Sequence, residues 1–183
     1  MSNKKLGLIG GLILLSFAAC QSDKTGNNDQ NDQNEVNGLS HQDKEYMDKI
    51  TYVNLGEIDA GNLAKQHGSN ASIIDFGNMM VEDHGQAHKD LLNIATDKSY
   101  SLPSETNQEH KDMGAKLSAL SGREFDSTFI YMMVKGHEKA IELEQDEIDK
   151  GKDEAVKGYA SKTLPVIQHH RNFADSLAHA LFP

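Results

Sequence analysis

The chain has 183 residues, 37% of them hydrophobic, and 28 acidic side chains against 18 basic ones give it a formal net charge of −10. That acidity excludes a nucleic-acid partner and adsorption to anionic lipid, since both need a basic face. With Cys20 as the one cysteine, an intramolecular disulfide and a thiolate metal cluster are excluded as well.

The first twenty residues read as an address. Lys4 and Lys5 form a basic start, Leu6 to Phe17 is an apolar run too short to span a bilayer stably, and Ala18 and Ala19 are small residues ahead of Cys20. Small residues before a lone cysteine resemble a bacterial lipobox, with Phe17 where Leu is usual. On this reading residues 1–19 are a lipoprotein signal peptide and Cys20 is the lipidated first residue. The expected location is the cell envelope, at the outer membrane facing the periplasm or the surface, with membrane contact through the lipid. Ordinary secretion with an incidental cysteine is the plainer alternative. Loss of Lys4 and Lys5 takes the net charge to −12. Residues 20–40 are Asn, Asp, Gln, Ser and Gly with few apolar side chains, a composition that cannot offset its ordering entropy and reads as a disordered tether.

From residue 41 to 183 every segment has helical period, enough for one domain with a core. The pattern predicts a helix over about 42–66 with Met47, Ile50, Ala60 and Ala64 on its apolar side and Glu57 in the middle of the stripe. His67-Gly68-Ser69-Asn70 ends it. A second helix is predicted over 71–97. A break at 99–104 carries Pro103 and a capping pattern at Ser104-Glu105, and a shorter helix follows over 105–120. A third long helix starts near Phe125-Asp126, with Asp126 as its N-cap, and ends near Gly151. The last runs over 153–181 with Pro165 inside, where a kink is expected. The expected fold is all-α, a ferritin-like up-down bundle of four long helices with the shorter one in the crossover; an antiparallel five-helix array is the competing arrangement.

One pattern occurs twice. Met79-Met80-Val81-Glu82-Asp83-His84 returns 53 residues later as Met132-Met133-Val134-Lys135-Gly136-His137, and each His follows a Phe by eight residues, Phe76 and Phe129. Each copy sets a histidine into the face that should meet the core. Glu57 precedes His84 by 27 residues, as His110 precedes His137, so the spacing predicts a duplicated helix-turn-helix unit with His84 and His137 facing across a pseudo-twofold axis. Polar residues on apolar stripes are then Glu57, His84, His110, His137 and His170. Three imidazoles and a carboxylate suit one transition metal ion, whether zinc, iron, manganese or copper. His84 and His88, four apart on one helix, are a further chelating pair. Asp83, Glu138 or a backbone carbonyl would accept from the second ring nitrogens. The Glu-x-x-His pairs of di-iron bundles are missing, since Val81, Val134 and Ile167 stand three before the histidines. The plainer reading is a buried hydrogen-bonded histidine network that fixes helix register, with Glu57 partnering one ring. Paired methionines read as core filler. The acidic run Glu142, Glu144, Asp146, Glu147, Asp149 reads as a solvated face.

Three ordered motifs resemble those of the domain-of-unknown-function family 4142. They are Met80-Val81-Glu82-Asp83-His84, then Ser121-Gly122-x-x-Phe125-Asp126 with Phe129-Ile130, and Thr163-Leu164-Pro165-Val166-Ile167-Gln168-His169-His170. The resemblance implies a ferritin-like bundle exported to the envelope. It singles out His84, His137 and His170, and it implies no reaction. The expected function is a non-catalytic binding or structural bundle holding one transition metal ion at its histidines. The rivals are a purely structural or partner-binding bundle and a metal-dependent oxidoreductase.

Overall fold

The computed structural model describes residues 38–183, so the signal, Cys20 and most of the tether lie outside the described residues. The elements are α1 (His41–His67), α2 (Ala71–Asp97), α3 (Gln108–Ser118), α4 (Gly122–Lys150) and α5 (Glu154–Leu181), and no strand occurs among the described residues. Leu39, assigned above to the tether, is fully buried, so the folded body reaches back past residue 41.

Four of the five helices start on a side-chain cap. Ser40 accepts from the Asp43 amide while the Asp43 carboxylate accepts from the Ser40 amide, a reciprocal cap on α1. Asn70, Asn107 and Asp153 cap α2, α3 and α5 with their side chains. Two predicted boundaries move, the second without a side-chain cap. Asn107 rather than Ser104 opens α3, and α4 begins at Gly122 rather than at Asp126. Pro165 lies inside α5, as predicted, and the helix is continuous through it. Pro165 and Ser161, whose carbonyl lost its partner, are both exposed, so water can take that bond.

Asp126 has a different task from the predicted N-cap. Its carboxylate accepts from the Ser69 amide at 3.0 Å, the Ser69 hydroxyl at 2.6 Å and the Asn70 amide at 3.0 Å, fixing the start of α4 to the α1–α2 turn. At the other end the Asp43 carboxylate accepts from the Lys152 amide at 2.8 Å and the Asp153 amide at 3.1 Å, fixing the start of α1 to the α4–α5 turn. These two clamps set the directions: α1 antiparallel to α2, α4 antiparallel to α5, and α2 parallel to α4 on opposite corners. The segment 98–121 returns the chain along the bundle, with α3 resting on α1 and only lightly on α4. This is the predicted crossover connectivity, not the five-helix array.

The clamps also expose the internal repeat. Adding 83 to eight of the eleven buried positions of α1 turns Asp43, Tyr46, Met47, Ile50, Asn54, Glu57, Gly61 and Ala64 into Asp126, Phe129, Ile130, Met133, His137, Ala140, Glu144 and Glu147, all buried on α4. The same step carries Gly68 to Gly151, the two helix ends, and Asn70 to Asp153, the two caps. It then carries Ile73, Phe76, Gly77, His84, Leu91 and Ala95 of α2 to Val156, Tyr159, Ala160, Ile167, Ala174 and Ala178 of α5, again all buried. The repeated unit is therefore the long hairpin, α1–α2 against α4–α5. The predicted unit, with α3 in the place of α1, is not formed.

The two hairpins differ where the first has its smallest residues. A Cβ on Gly61 would fall 2.5 Å from the Gly77 carbonyl oxygen, so α1 and α2 touch backbone to backbone there. The positions related to Gly61 and Ala64 carry Glu144 and Glu147, both fully buried. The acidic run is thus not one solvated face: only Glu142, Asp146 and Asp149 turn outward, because helical period sends Glu144 and Glu147 inward.

Candidate metal centre

Two apolar clusters fill the bundle. One gathers Phe76, Phe125, Phe129, Ile130 and Leu117, the other Tyr46, Met47, Ile50, Leu91 and Val156. Between them lies a polar layer. His84 from α2, His137 from α4 and His170 from α5 are each at most 3% exposed, and their ring centroids lie 5.7 Å (His84–His137), 5.5 Å (His84–His170) and 5.4 Å (His137–His170) apart. The parallel course of α2 and α4 puts the two copies of the sequence pattern level, so Phe76 meets Phe129 at 6.1 Å as His84 meets His137. Phe76 also lies edge-on to His170 at 6.4 Å and forms an apolar floor.

Each ring has one nitrogen paired on its outer side. His84 Nδ1 donates to Asn54 Oδ1 at 2.9 Å, His137 Nδ1 to the Met133 carbonyl at 2.7 Å, and His170 Nε2 to Asp83 Oδ2 at 2.8 Å. A carbonyl and a carboxylate only accept, so the proton sits on the outer nitrogen and the inner one presents a bare lone pair. The inner atoms, His84 Nε2, His137 Nε2 and His170 Nδ1, are buried with no hydrogen-bond partner. They lie within 4.8 Å of one another. A single point therefore lies within about 2.8 Å of all three, against zinc–imidazole bonds of about 2.0–2.1 Å. Protonation does not relieve the repulsion among the lone pairs. Burial, aided by the neighbouring imidazoles, holds His84 well below the usual histidine range; burial also brings His137 down to about 4 and lowers His170 despite Asp83.

The other predicted residues stand apart from this group. Glu57 is 4% exposed, neither accepts from an imidazole nor joins the cluster, and keeps Oε2 without a partner. Its Oε1 is instead turned to Gly136, where a Cβ would sit 3.2 Å away. His110 lies over Gly56 with Nδ1 bonded to Asn107 Oδ1 at 2.8 Å, and it shares a wide groove between α1, α3 and α4 with Glu57. His88 is one turn past His84, outside the cluster, with Nδ1 buried and unpaired. Glu138 is exposed and accepts from Arg171 at 3.0 Å, so it partners no imidazole, whereas Asp83 and the Met133 carbonyl do.

Asn54, Tyr159 and Tyr46 escaped sequence reasoning, and Glu144 reads from the sequence as solvated. Asn54 accepts from His84 and donates from Nδ2 to the Tyr159 hydroxyl at 3.1 Å. Tyr46 donates to Glu144 Oε2 at 2.5 Å, leaving Glu144 Oε1 buried and unpaired. Asn54 sits one turn before Glu57 on the same stripe, and only the 83-residue register marks it, by pairing it with His137.

Solved structures share this fold. A DUF305 fragment from Deinococcus radiodurans superposes with a TM-score of 0.69 at 11% identity, covering 78% of this chain and 98% of that one. A DUF305 protein from Streptomyces coelicolor gives 0.65 at 9% identity, covering 76% of this chain and 93% of that one. No curated protein matches the chain at a significant level. The model of the family described as Domain of unknown function (DUF4142) matches residues 28–177, which takes in the clamps and all three clustered histidines, and the chain belongs to that family.

Proposed function

We propose that this protein is a cell-envelope lipoprotein whose helical bundle binds one divalent transition-metal ion, zinc being the simplest occupant, through His84 Nε2, His137 Nε2 and His170 Nδ1. The observation that carries the reading is the convergence of three buried lone pairs with no donor among them. Leaving a buried polar atom unpaired costs about 1–3 kcal/mol, so three in one spot are a standing cost that a cation removes. The ligand set supports a borderline ion, since imidazole suits zinc, copper, iron and nickel while calcium and magnesium want oxygen. Asn54, Asp83 and the Met133 carbonyl fix the tautomers and ring planes, as outer partners of metal-bound histidines do. Three protein ligands leave a fourth position to a small molecule. The function is binding; no reaction is assigned.

Elemental analysis of the full chain, purified without a histidine tag or chelator, tests the site. One equivalent of metal is expected, with loss of it in the His84→Ala, His137→Ala double variant. Metal-free protein that takes up no zinc would instead leave a hydrogen-bonded histidine core as the reading. The anchor is tested separately: Cys20→Ser should leave the fold intact and move the protein from the membrane fraction to the soluble one. A variant that still sediments with membranes refutes lipidation at Cys20.

A further inference from the structure

A cavity of about 150 Å³ opens between α2 and α5, and both His84 and His170 border it. We infer that this cavity admits a small anion to the fourth coordination position of the three-histidine centre, so that the bound species is a metal–anion pair. The inference rests on the metal reading above.

Charge is the first support. Three neutral imidazoles leave both charges of a divalent ion uncompensated by any direct ligand, and the one carboxylate bonded to a ligand, Asp83, stands half-exposed on the outer side of His170, where it also lines the cavity. Low dielectric makes an unpaired buried charge costly, so an anion in the fourth position is favoured over a neutral guest.

The cavity wall is the second support. Deep inside, Tyr159 accepts from Asn54 and so keeps its own proton for an acceptor. Glu144 faces the same space, fully buried, with Oε1 unpaired. Burial pushes its carboxyl up to about 7, against the bond from Tyr46, so near neutrality much of it is a donor too. At the mouth Lys162 is paired with Asp90 at 2.7 Å and Asp83 stands on the wall, so the donors left for an anion are the inner ones, Tyr159 and Glu144. Size sets the upper limit. A cavity of 150 Å³ takes a guest of about six heavy atoms, which admits formate, bicarbonate, acetate or azide and shuts out larger carboxylates.

Cobalt(II) put into the full chain gives visible bands that report its coordination, and azide is the probe. Saturable movement of those bands with azide is expected, with formate competing and 2-naphthoate not competing. Tyr159→Phe should bind cobalt fully yet weaken azide about tenfold. Ala87→Phe, which fills the cavity wall, should abolish the azide response at unchanged cobalt content. Should the larger side chain prevent folding, Tyr159→Phe and the naphthoate comparison decide alone. Bands that ignore azide in cobalt-loaded protein, or that respond to naphthoate as to azide, overturn the anion channel and leave the metal site standing. Failure to bind cobalt at all overturns the metal reading first.

Discussion

Glu57 and the three histidines are buried to the same degree, yet burial acts on them in opposite senses. An imidazole loses its charge by shedding a proton and a carboxyl by keeping one, so the histidines titrate below their ordinary range while burial takes Glu57 up to about 8. Each histidine has an acceptor that settles its outer nitrogen, and Glu57 has no such help on Oε2. A folded-state pKa raised above the unfolded 4.5 gives stability that is complete below pH 4.5 and is lost as pH rises toward 8. Glu57→Gln removes that titration. The fall in unfolding free energy between pH 5 and pH 8, measured in urea, should then shrink by roughly 3 kcal/mol relative to the parent, at about 1.36 kcal/mol per unit. Glu144 and Glu147, raised by burial to about 7 and about 8, keep the rest of the slope. An unchanged slope in Glu57→Gln means that Glu57 is solvated in the folded protein.

Helix positions and ends were largely legible in the sequence, because 3.6-residue periodicity, Asn and Asp caps and the Gly68 and Gly151 stops act locally. The repeat was not. The pattern visible by eye relates α2 to α4, parallel helices that share Phe and His for one layer, and it hides the hairpin duplication. The 83-residue register preserves burial and helix ends with few identities beyond Asp43/Asp126 and Gly68/Gly151. Chemistry was replaced at the informative positions, Asn54 by His137 and His84 by Ile167, so no residue count reveals the register. For the same reason Glu57 stands out on its apolar stripe as a charged residue, whereas Asn54, the residue that bonds His84, is an amide that does not. The clamps are where the two halves still agree, and they carry a prediction. Asp126→Ala leaves the Ser69 and Asn70 amides without their acceptor at a turn between helices. It should cost about 3 kcal/mol, two amide bonds to a charged group at the usual 1.5–3 kcal/mol each less relaxation, while the exposed Ser69 hydroxyl turns to water. Asp126→Asn, which keeps one acceptor oxygen, should cost about half as much. Equal losses would mean that packing and not the carboxylate holds the turn.

At the scale of the molecule, two clusters of apolar side chains hold a polar layer whose members come from all four long helices: Asn54, His84, His137 and His170. Binding at that layer ties both hairpins together, so an ion there stabilises the whole bundle. At a free ion concentration a hundredfold over its dissociation constant the gain is roughly 2.7 kcal/mol. Its pH dependence follows from burial. In the folded chain burial holds all three imidazoles below the ordinary histidine range, so above about pH 7 they are neutral, the ion displaces no proton from them and the gain stays level to pH 8. As pH falls toward 4, His137 takes a proton and competes with the ion, and the gain disappears. The metal-free fold weakens over the same acid range, because the unfolded chain binds protons below about 6.5 that the buried rings refuse. Calorimetry with and without chelator should therefore give a melting-temperature difference that is flat from pH 7 to 8 and closes by about pH 4. A difference that instead grows steadily from pH 7 to 8 would place protons on the metal-free imidazoles at neutral pH. The rings would then be reached by water, and the dry convergence on which the site depends would not exist.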